Sequence, residues 1–187
     1  MEQTFNTKVL ILNRCDFREA DSRIVCYSAD RGKLELVARG AKKLKSKLSG
    51  HLEPLTLSRL MIVVGKDFNY VGTATGENFY PAIKNNLEKI NLAVQALSLV
   101  EKMTRENEID GHAEIFNLLK NFLDELENHS FLACPAKSCS AGRSGERGGR
   151  AARTGCVTVD SRLKIFSKNL SAILGFSPED FEELRQK

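Results

Sequence analysis

The feature that most constrains this chain is a series of five short apolar segments, rich in β-branched and aromatic residues, within its first 80 residues. Turn-forming residues such as Asp30-Arg31-Gly32 and Gly65-Lys66 separate them. The predicted strands are Thr4–Leu12, Arg23–Ser28, Lys33–Ala38, Pro54–Val64 and Asp67–Thr75. Five short strands joined by small turns predict a closed or nearly closed β-barrel, with a β-sandwich as the alternative.

The pattern changes after residue 80, where apolar residues begin to recur three or four positions apart. In the first predicted helix, over residues 86–106, this apolar face comprises Leu87, Ile90, Val94, Leu97 and Val100. Residues 111–128 predict a second, well-buried helix and residues 161–174 a third, and Ser177-Pro178-Glu179-Asp180 is typical of a helix start. The chain is therefore predicted to be an α+β protein with segregated domains, a barrel over residues 1–80 and an α-helical domain over residues 81–187.

Residues 135–155 interrupt the helical part. This segment holds five of the 13 glycines and four arginines, and it lacks Leu, Ile, Val, Met, Phe and Tyr. It cannot bury enough apolar surface to offset its ordering entropy, so we predict that it is flexible. Three interpretations are open: an Arg/Gly-rich nucleic-acid contact, a surface linker, or a stretch that is not native to this reading frame.

Composition excludes several protein classes. The longest stretch without a charged residue, Ile90 to Val100, has eleven residues, whereas a membrane-spanning helix needs about 20. No basic region followed by an apolar run opens the chain, so no secretory signal is expected. The five cysteines show no paired spacing, which favours a reducing compartment. We expect a cytosolic protein.

Charge is unevenly distributed along the chain. Residues 1–80 carry 13 basic and 9 acidic residues, whereas residues 81–134 carry 5 basic and 9 acidic residues. Five basic residues without an acid lie in the nine positions that follow the third predicted strand: Arg39, Lys42, Lys43, Lys45 and Lys47. A solvated loop is one interpretation. Because the run joins two strands of the predicted small barrel, a phosphate-binding loop is the other interpretation.

Aromatic residues near this loop are candidates for stacking on nucleic-acid bases. They are Phe17, Tyr27, Phe68 and Tyr70. Phe68 and Tyr70 lie two positions apart on one predicted strand and therefore share a face. They form a stacking platform if that face is exposed, and they belong to the core if it points inward.

Metal and catalytic motifs are weak in this sequence. His129, Cys134, Cys139 and Cys156 are possible zinc ligands, but their spacing lacks the tight cysteine pair of structural zinc sites. Cys15 and Cys26 are predicted to be small buried hydrophobic residues. The three histidines are scattered, and no phosphate-cradling glycine loop or dinucleotide fingerprint is present. We therefore expect no catalytic residues, no metal and no cofactor, and the protein is not predicted to be an enzyme.

Several motifs of the first 55 residues occur in a recognisable order. They are Val9-Leu10-Ile11-Leu12, Arg14-Cys15-Asp16-Phe17-Arg18-Glu19-Ala20-Asp21, Gly32-Lys33-Leu34, Ala38-Arg39-Gly40-Ala41-Lys42-Lys43, Lys45-Ser46-Lys47-Leu48 and Leu52-Glu53-Pro54-Leu55. Over roughly 45 residues this order resembles the N-terminal domain of the RecO family of bacterial DNA repair and recombination mediators. The run from Leu170 to Pro178 also looks like a helix of that family and its exit.

The resemblance implies an OB-fold followed by an α-helical domain. It also implies binding of single- and double-stranded DNA, annealing of complementary strands, and action with the partner RecR. In the family, this activity helps RecA to displace single-strand-binding protein (SSB), whose tail contacts the helical domain. The DNA-binding role carries over to Arg39, Lys42, Lys43, Lys45 and Lys47, the residues that the charge pattern selects.

The chain departs from the family pattern in its cysteines. Many members carry a four-cysteine zinc module after the Leu-Gly-Phe helix, whereas the cysteines here precede that helix in a different spacing. Two alternative functions stay open. One is a general OB-fold protein that binds single strands of nucleic acid without annealing them. The other is a protein-interaction adaptor that acts through its helical half.

Overall fold

The computed structural model describes residues 3–43, 46–105, 111–128 and 159–175. Its N-terminal part is a closed barrel with the strand order β1-β2-β3-β5-β4. The strands are β1 (Thr4–Asp16), β2 (Ser22–Ser28), β3 (Gly32–Ala38), β4 (Leu57–Val63) and β5 (Asn69–Asn78). β3 and β5 run parallel, and the other neighbouring pairs are antiparallel. This is an OB-fold barrel, so the predicted barrel is confirmed and the sandwich alternative is wrong.

Strand β1 is longer than the sequence predicts because it pairs with two neighbours. Its first half pairs with β4, and its second half pairs with β2 as far as Asp16. A register irregularity between Ile11 and Asn13 accompanies the change of partner. The alternating charges of residues 14–21 are typical of a solvated loop, but residues 14–16 belong to β1, and the β1–β2 loop comprises residues 17–21.

Two other strand boundaries also shift. β4 begins at Leu57 rather than Pro54, because Leu55 adopts a φ of 60°, which is incompatible with an extended strand. β5 begins at Asn69 rather than Asp67. Phe68 consequently lies in the β4–β5 loop, at residues 64–68.

Alternating side chains fill the interior of the barrel. They are contributed by all five strands and include Val9, Ile11, Ile24, Cys26, Leu36, Leu60, Ile62 and Val71. Part of the outer face of β1 and β2 is buried as well, since Leu10, Val25 and Tyr27 pack against the helices. Burial on both faces explains the uninterrupted buried run of residues 24–28. The helices thus cover this side of the barrel. They leave open to a ligand the end of the barrel that carries residues 17–21, 39–48 and 64–68, called here the loop-bearing end.

Four helices follow the barrel in the described residues: α1 (Pro81–Lys84), α2 (Leu87–Met103), α3 (His112–Asn128) and α4 (Val159–Leu174). The three helices that the apolar spacing predicts are thus confirmed. Residues 135–155 and the helix start predicted at Ser177 lie outside the described residues, and the division into two domains stays a prediction. Within the described ranges, no helix is long and apolar enough to cross a membrane.

The buried face of α2 agrees only in part with the predicted face. Leu97 and Val100 are buried as predicted, but Leu87 is 82 % exposed and Val94 is also exposed. Ala93 and Ala96, which the predicted face does not include, are buried instead. Two overlapping apolar rows run along this helix. The row that contains the alanines allows the closest approach of α2 to its neighbours, and it is the row that packs into the core.

Hydrogen bonds and packing join the barrel to the helices. The Lys33 ammonium group of β3 donates to the carbonyl oxygens of Glu101 (2.7 Å) and Thr104 (3.4 Å) at the C-terminal end of α2. This position suits a cation because the last carbonyl groups of a helix lack partners within the helix. The His112 ring of α3 lies edge-on to the buried Tyr27 ring, with 6.5 Å between the ring centroids.

Candidate nucleic-acid interface

The basic loop, defined as residues 39–48, begins directly after β3. It leaves the barrel at the end where β1 finishes and where β2 and β5 start. Arg39, Lys43 and Lys47 are exposed, and Lys42 is half-buried. Lys45 lies outside the described residues. The role of these five basic residues in DNA binding stays a prediction, but the described part of the loop does carry its exposed cations on one end of the barrel.

Backbone contacts fix the first part of the basic loop. Gly40 has a φ of 65°, and its amide donates to the Asp21 carboxylate at 2.8 Å. The Lys42 amide donates to the carbonyl oxygen of Ala20 at 3.1 Å. Ala41 between them is fully buried against the barrel core. The β1–β2 loop therefore holds the first part of the basic loop, residues 40–42, in place.

A second anchor lies at the far end of the basic loop. The Arg14 guanidinium donates to the carbonyl oxygen of Ser49 at 3.3 Å. Ser49 begins a short 3-10 turn, Ser49–Leu52, whose His51 ring accepts the Gly76 amide of β5 at 3.2 Å. Both ends of the basic loop are thus attached to the barrel.

Lys42 differs from the other cations of the loop because a carboxylate neutralises it. Its ammonium group lies 2.8 Å from a carboxylate oxygen of Asp16 and donates to the carbonyl oxygen of Arg18 at 3.0 Å. Its side chain is only 26 % exposed. Within the described part of the chain, Arg39, Lys43 and Lys47 make no ion pair.

Aromatic rings lie beside the basic loop, and neither Phe68 nor Tyr70 belongs to the core. The Arg39 guanidinium lies over the Tyr70 ring, 3.9 Å from its centroid. Phe68 is 44 % exposed and packs edge-to-face against Phe17, with 5.5 Å between centroids. The interpretation of these two residues as core is wrong, because β5 starts after Phe68 and Tyr70 faces the loop. Base stacking stays a prediction.

The remaining candidates are Tyr27, the two cysteines of the barrel and the possible zinc ligands. Tyr27 is buried beneath His112 and cannot stack on a base. Cys26 is buried as predicted, but Cys15 is exposed, because β1 extends to Asp16 and this end of the strand faces solvent. The possible zinc ligands His129, Cys134, Cys139 and Cys156 lie outside the described residues. Among the residues that are described, no three His, Cys, Asp or Glu side chains cluster as metal ligands.

Sequence reasoning identified Phe17 of the β1–β2 loop as a stacking candidate but missed Arg18 beside it and the contact of Phe17 with Phe68. The Arg18 guanidinium lies 5.1 Å from the centroid of the Phe17 ring, which itself contacts Phe68 from the β4–β5 loop. A cation and two aromatic rings thus adjoin the basic loop from two other loops. The alternating charges of residues 14–21 concealed this arrangement, although the presence of Phe17 among them was a usable signal.

Comparisons with known proteins agree with this geometry. Residues 1–78 match the family model described as "Recombination protein O N terminal". The chain is 27 % identical over 181 residues to a DNA repair protein RecO from Roseiflexus sp. (strain RS-1), a match that spans 97 % of the chain and 53 % of that protein. It is 33 % identical over 127 residues to the DNA repair protein RecO of Dehalococcoides mccartyi (strain CBDB1), with coverage of 67 % and 49 %.

A third relative has a similar identity and coverage. The chain is 32 % identical over 127 residues to the DNA repair protein RecO of Myxococcus xanthus (strain DK1622), which covers 67 % of the chain and 51 % of that protein. The chain therefore spans about half the length of the curated relatives that it matches.

Proposed function

Because the chain belongs to the RecO family, we propose that it binds DNA in repair and recombination through the loop-bearing end of its barrel. The observation that supports this most directly is the basic loop, held at both ends and bordered by Phe68 and Tyr70. A fixed loop loses little conformational entropy when it meets a ligand. Exposed cations beside aromatic rings suit a ligand with phosphates and bases.

Phosphate contacts would supply most of the affinity. Each cation that neutralises a phosphate releases condensed counterions, which makes binding strongly dependent on salt. If all five basic residues contact single-stranded DNA, the logarithm of affinity falls with the logarithm of salt concentration with a slope of about −3.5. Phe68 and Tyr70 would add stacking on unpaired bases.

The proposed activity needs no covalent chemistry. When cations on one protein neutralise the phosphates of two strands, the repulsion between the strands falls and complementary bases can pair. We propose that the protein anneals strands in this way, without a cofactor, and that it acts with RecR to help RecA load onto SSB-coated single strands. The proposal of these partners rests on the resemblance to the family, and the charged loop supports the proposed action on the strands.

Replacing three exposed cations of the basic loop tests the DNA-binding surface. Arg39, Lys43 and Lys47 are changed together to Gln, and the affinity for a labelled single strand is measured by fluorescence anisotropy. Three exposed helical lysines, Lys102, Lys164 and Lys168, are changed to Gln as a control with the same change in charge. We expect at least a tenfold loss of affinity in the loop variant and a small change in the control. Equal losses would contradict the proposal.

A strand-annealing assay separates the proposed mediator from a general single-strand-binding protein. Two complementary oligonucleotides are mixed with increasing amounts of protein, and duplex formation is followed over time. A mediator accelerates pairing, whereas a protein that only coats single strands slows it. Slower pairing at every protein concentration would leave the binding proposal intact and contradict the annealing proposal.

A groove in the helical part favours a second candidate function, that of a protein-interaction adaptor. A cavity of about 270 Å³ lies between α3 and α4, where Leu118, Phe122 and Phe166 are flanked by the exposed Ile165 and by Arg162. Pull-down experiments with SSB and with RecR test this candidate. It is supported if Ile165→Glu abolishes capture of either protein while DNA binding is unchanged.

A further inference from the structure

Asp16 places a carboxylate within the proposed DNA-binding surface. It is the last residue of β1, and its side chain is 88 % exposed. One of its oxygens lies 2.8 Å from the Lys42 ammonium group. An exposed carboxylate beside the basic loop repels a phosphate, so Asp16 opposes the binding that the loop cations favour.

Lys42 is held in place by contacts that do not involve Asp16. Its amide is bonded to the β1–β2 loop at Ala20, and its ammonium group also donates to the carbonyl oxygen of Arg18. An ammonium group has three donors; in Lys42 one of them is used by the Arg18 carbonyl oxygen and a second by Asp16. Asp16 is not required to position Lys42, and while it is bound its carboxylate neutralises the charge, and holds a donor, that a phosphate would use.

The neighbouring cations show that this pairing is specific to Lys42. Arg39 lies on the Tyr70 ring, and Lys43 and Lys47 have no carboxylate partner among the residues that the structure describes. Glu19 lies in the same β1–β2 loop and is exposed, but in the same described ranges it makes no ion pair. Of these two exposed carboxylates, only that of Asp16 is bonded to a cation of the loop.

We infer that Asp16 competes with the DNA phosphate for Lys42 and so sets the lifetime of the DNA complex. This inference rests on the proposed function. In the free protein the carboxylate occupies the Lys42 ammonium group, and in the complex a phosphate displaces it. Because the competitor is part of the chain, it stays beside Lys42 and recaptures the ammonium group as soon as the phosphate moves away, which accelerates dissociation.

Fast release suits a protein that brings two strands together and must then leave the duplex. In the wild-type complex Asp16 retakes Lys42 for much of the time, whereas without this carboxylate the phosphate contact at Lys42 persists. The salt slope then becomes steeper by about 0.7 for a single strand. Removal of one unit charge about 6 Å from a phosphate in water corresponds to about a threefold change in binding. Asp16 thus lowers the affinity for DNA and raises the rate at which DNA dissociates.

The test measures association and dissociation rate constants of a labelled oligothymidine by stopped flow, on the full chain. The variants are Asp16→Asn and, as a matched control that removes the same charge from the adjoining β1–β2 loop, Glu19→Gln. We expect Asp16→Asn to slow dissociation by about threefold or more and to steepen the salt slope by about 0.7. Glu19→Gln is expected to act mainly on the association rate, through net charge. Thermal unfolding followed by circular dichroism checks that both variants are folded.

A second background shows whether the effect passes through Lys42. In Lys42→Gln protein, the further change Asp16→Asn should alter the dissociation rate no more than Glu19→Gln does. If Asp16→Asn and Glu19→Gln have equal effects in the wild-type background, or if Asp16→Asn accelerates dissociation, the inference is wrong while DNA binding stands. If the wild-type protein does not bind DNA at low salt, the proposed function fails and the inference fails with it.

Discussion

At the scale of single residues, Gly40 determines how the basic loop leaves the barrel. Its φ of 65° lies in the left-handed region, and its amide is bonded to Asp21. A β-carbon at this position would meet only the Lys43 side chain, at 3.6 Å or more, so the requirement for glycine comes from the backbone angle rather than from space. The five-residue charge run could be found in the sequence, but this conformation could not.

We predict that Gly40→Ala lowers the free energy of unfolding by about 1 kcal/mol, because alanine is strained at positive φ. Gly50→Ala is the control, since Gly50 has an ordinary φ and open space around its Cα. Urea denaturation of both variants measures the difference. Equal stability of the two variants would show that the Gly40 conformation does not strain an L-residue.

Phe68 carries a prediction about base stacking. Phe68→Ala should lower single-strand affinity by about tenfold with little change in the salt slope, because stacking on one base contributes about 1–3 kcal/mol and involves no phosphate. Phe79→Ala removes another exposed aromatic side chain, which packs on His51, and serves as the control. Anisotropy titrations at two salt concentrations test this. Equal effects of the two variants would exclude a specific stacking role for Phe68.

At the scale of elements, the connection from barrel to helices depends on α3. Both Glu127 carboxylate oxygens accept backbone amides at the start of α1, from Ala82 and Ile83, each at 2.9 Å. The buried Tyr80 before α1 has a φ of 48°, and its hydroxyl donates to Asp124 at 3.2 Å. Two carboxylates on one face of α3 therefore fix the four-residue helix that joins barrel and helices.

We predict that Glu127→Ala lowers the free energy of unfolding by about 1–2 kcal/mol, since two backbone donors lose their acceptors. Glu125→Ala removes an exposed carboxylate from the same helix and should change stability by less than about 0.5 kcal/mol. Chemical denaturation of the two variants tests the difference. A loss in Glu125→Ala as large as that in Glu127→Ala would contradict the capping role.

The positions of the strands and helices were more predictable from the sequence than the faces that they bury. The five strands follow from β-branched segments between turns, and the three long helices follow from apolar spacing. The exposed Leu87 shows the limit, because α2 carries two apolar rows and only its neighbours determine which row is buried. The extension of β1 to Asp16 was likewise hidden, since charged residues on a strand end look like a loop. The Asp16–Lys42 pair depends on that extension.

At the scale of the whole molecule, two buried groups link stability to pH. Burial raises the pKa of the Cys26 thiol from 9.0 to about 12. Burial, together with the nearby charge of Asp124, raises the pKa of the Tyr80 hydroxyl. Both groups lose their protons at lower pH in the unfolded chain than in the folded protein. Their contribution to stability is therefore full below the unfolded pKa values and is lost as pH rises towards the folded ones.

We predict that the free energy of unfolding falls above about pH 9, by up to about 1.4 kcal/mol per pH unit for each group. The fall should be shallower in Cys26→Ala, because one of the two groups is then absent. Cys15→Ala, which removes an exposed thiol, should follow the wild-type curve. Urea denaturation between about pH 8 and pH 10.5 tests this. Parallel curves for Cys26→Ala and the wild type would contradict it.

At the scale of the barrel and the described helices, packing covers one side of the barrel and leaves the proposed nucleic-acid surface at one end of it. The helices cover part of the outer face of β1 and β2, through Leu10, Val25 and Tyr27. The described parts of the basic loop, the β1–β2 loop and the β4–β5 loop lie at the end of the barrel where β1 finishes. There Arg39 lies on Tyr70, and Phe17 packs against Phe68. This loop-bearing end is the proposed DNA-binding surface.

The most direct test is the salt dependence of single-strand affinity, measured by fluorescence anisotropy on the full chain at several salt concentrations. We expect tight binding at low salt and a slope between about −3 and −3.5, which becomes shallower by about 2 when Arg39, Lys43 and Lys47 are changed to Gln. A slope that the three substitutions leave unchanged would place the DNA on another surface. No binding at low salt would contradict the claim outright.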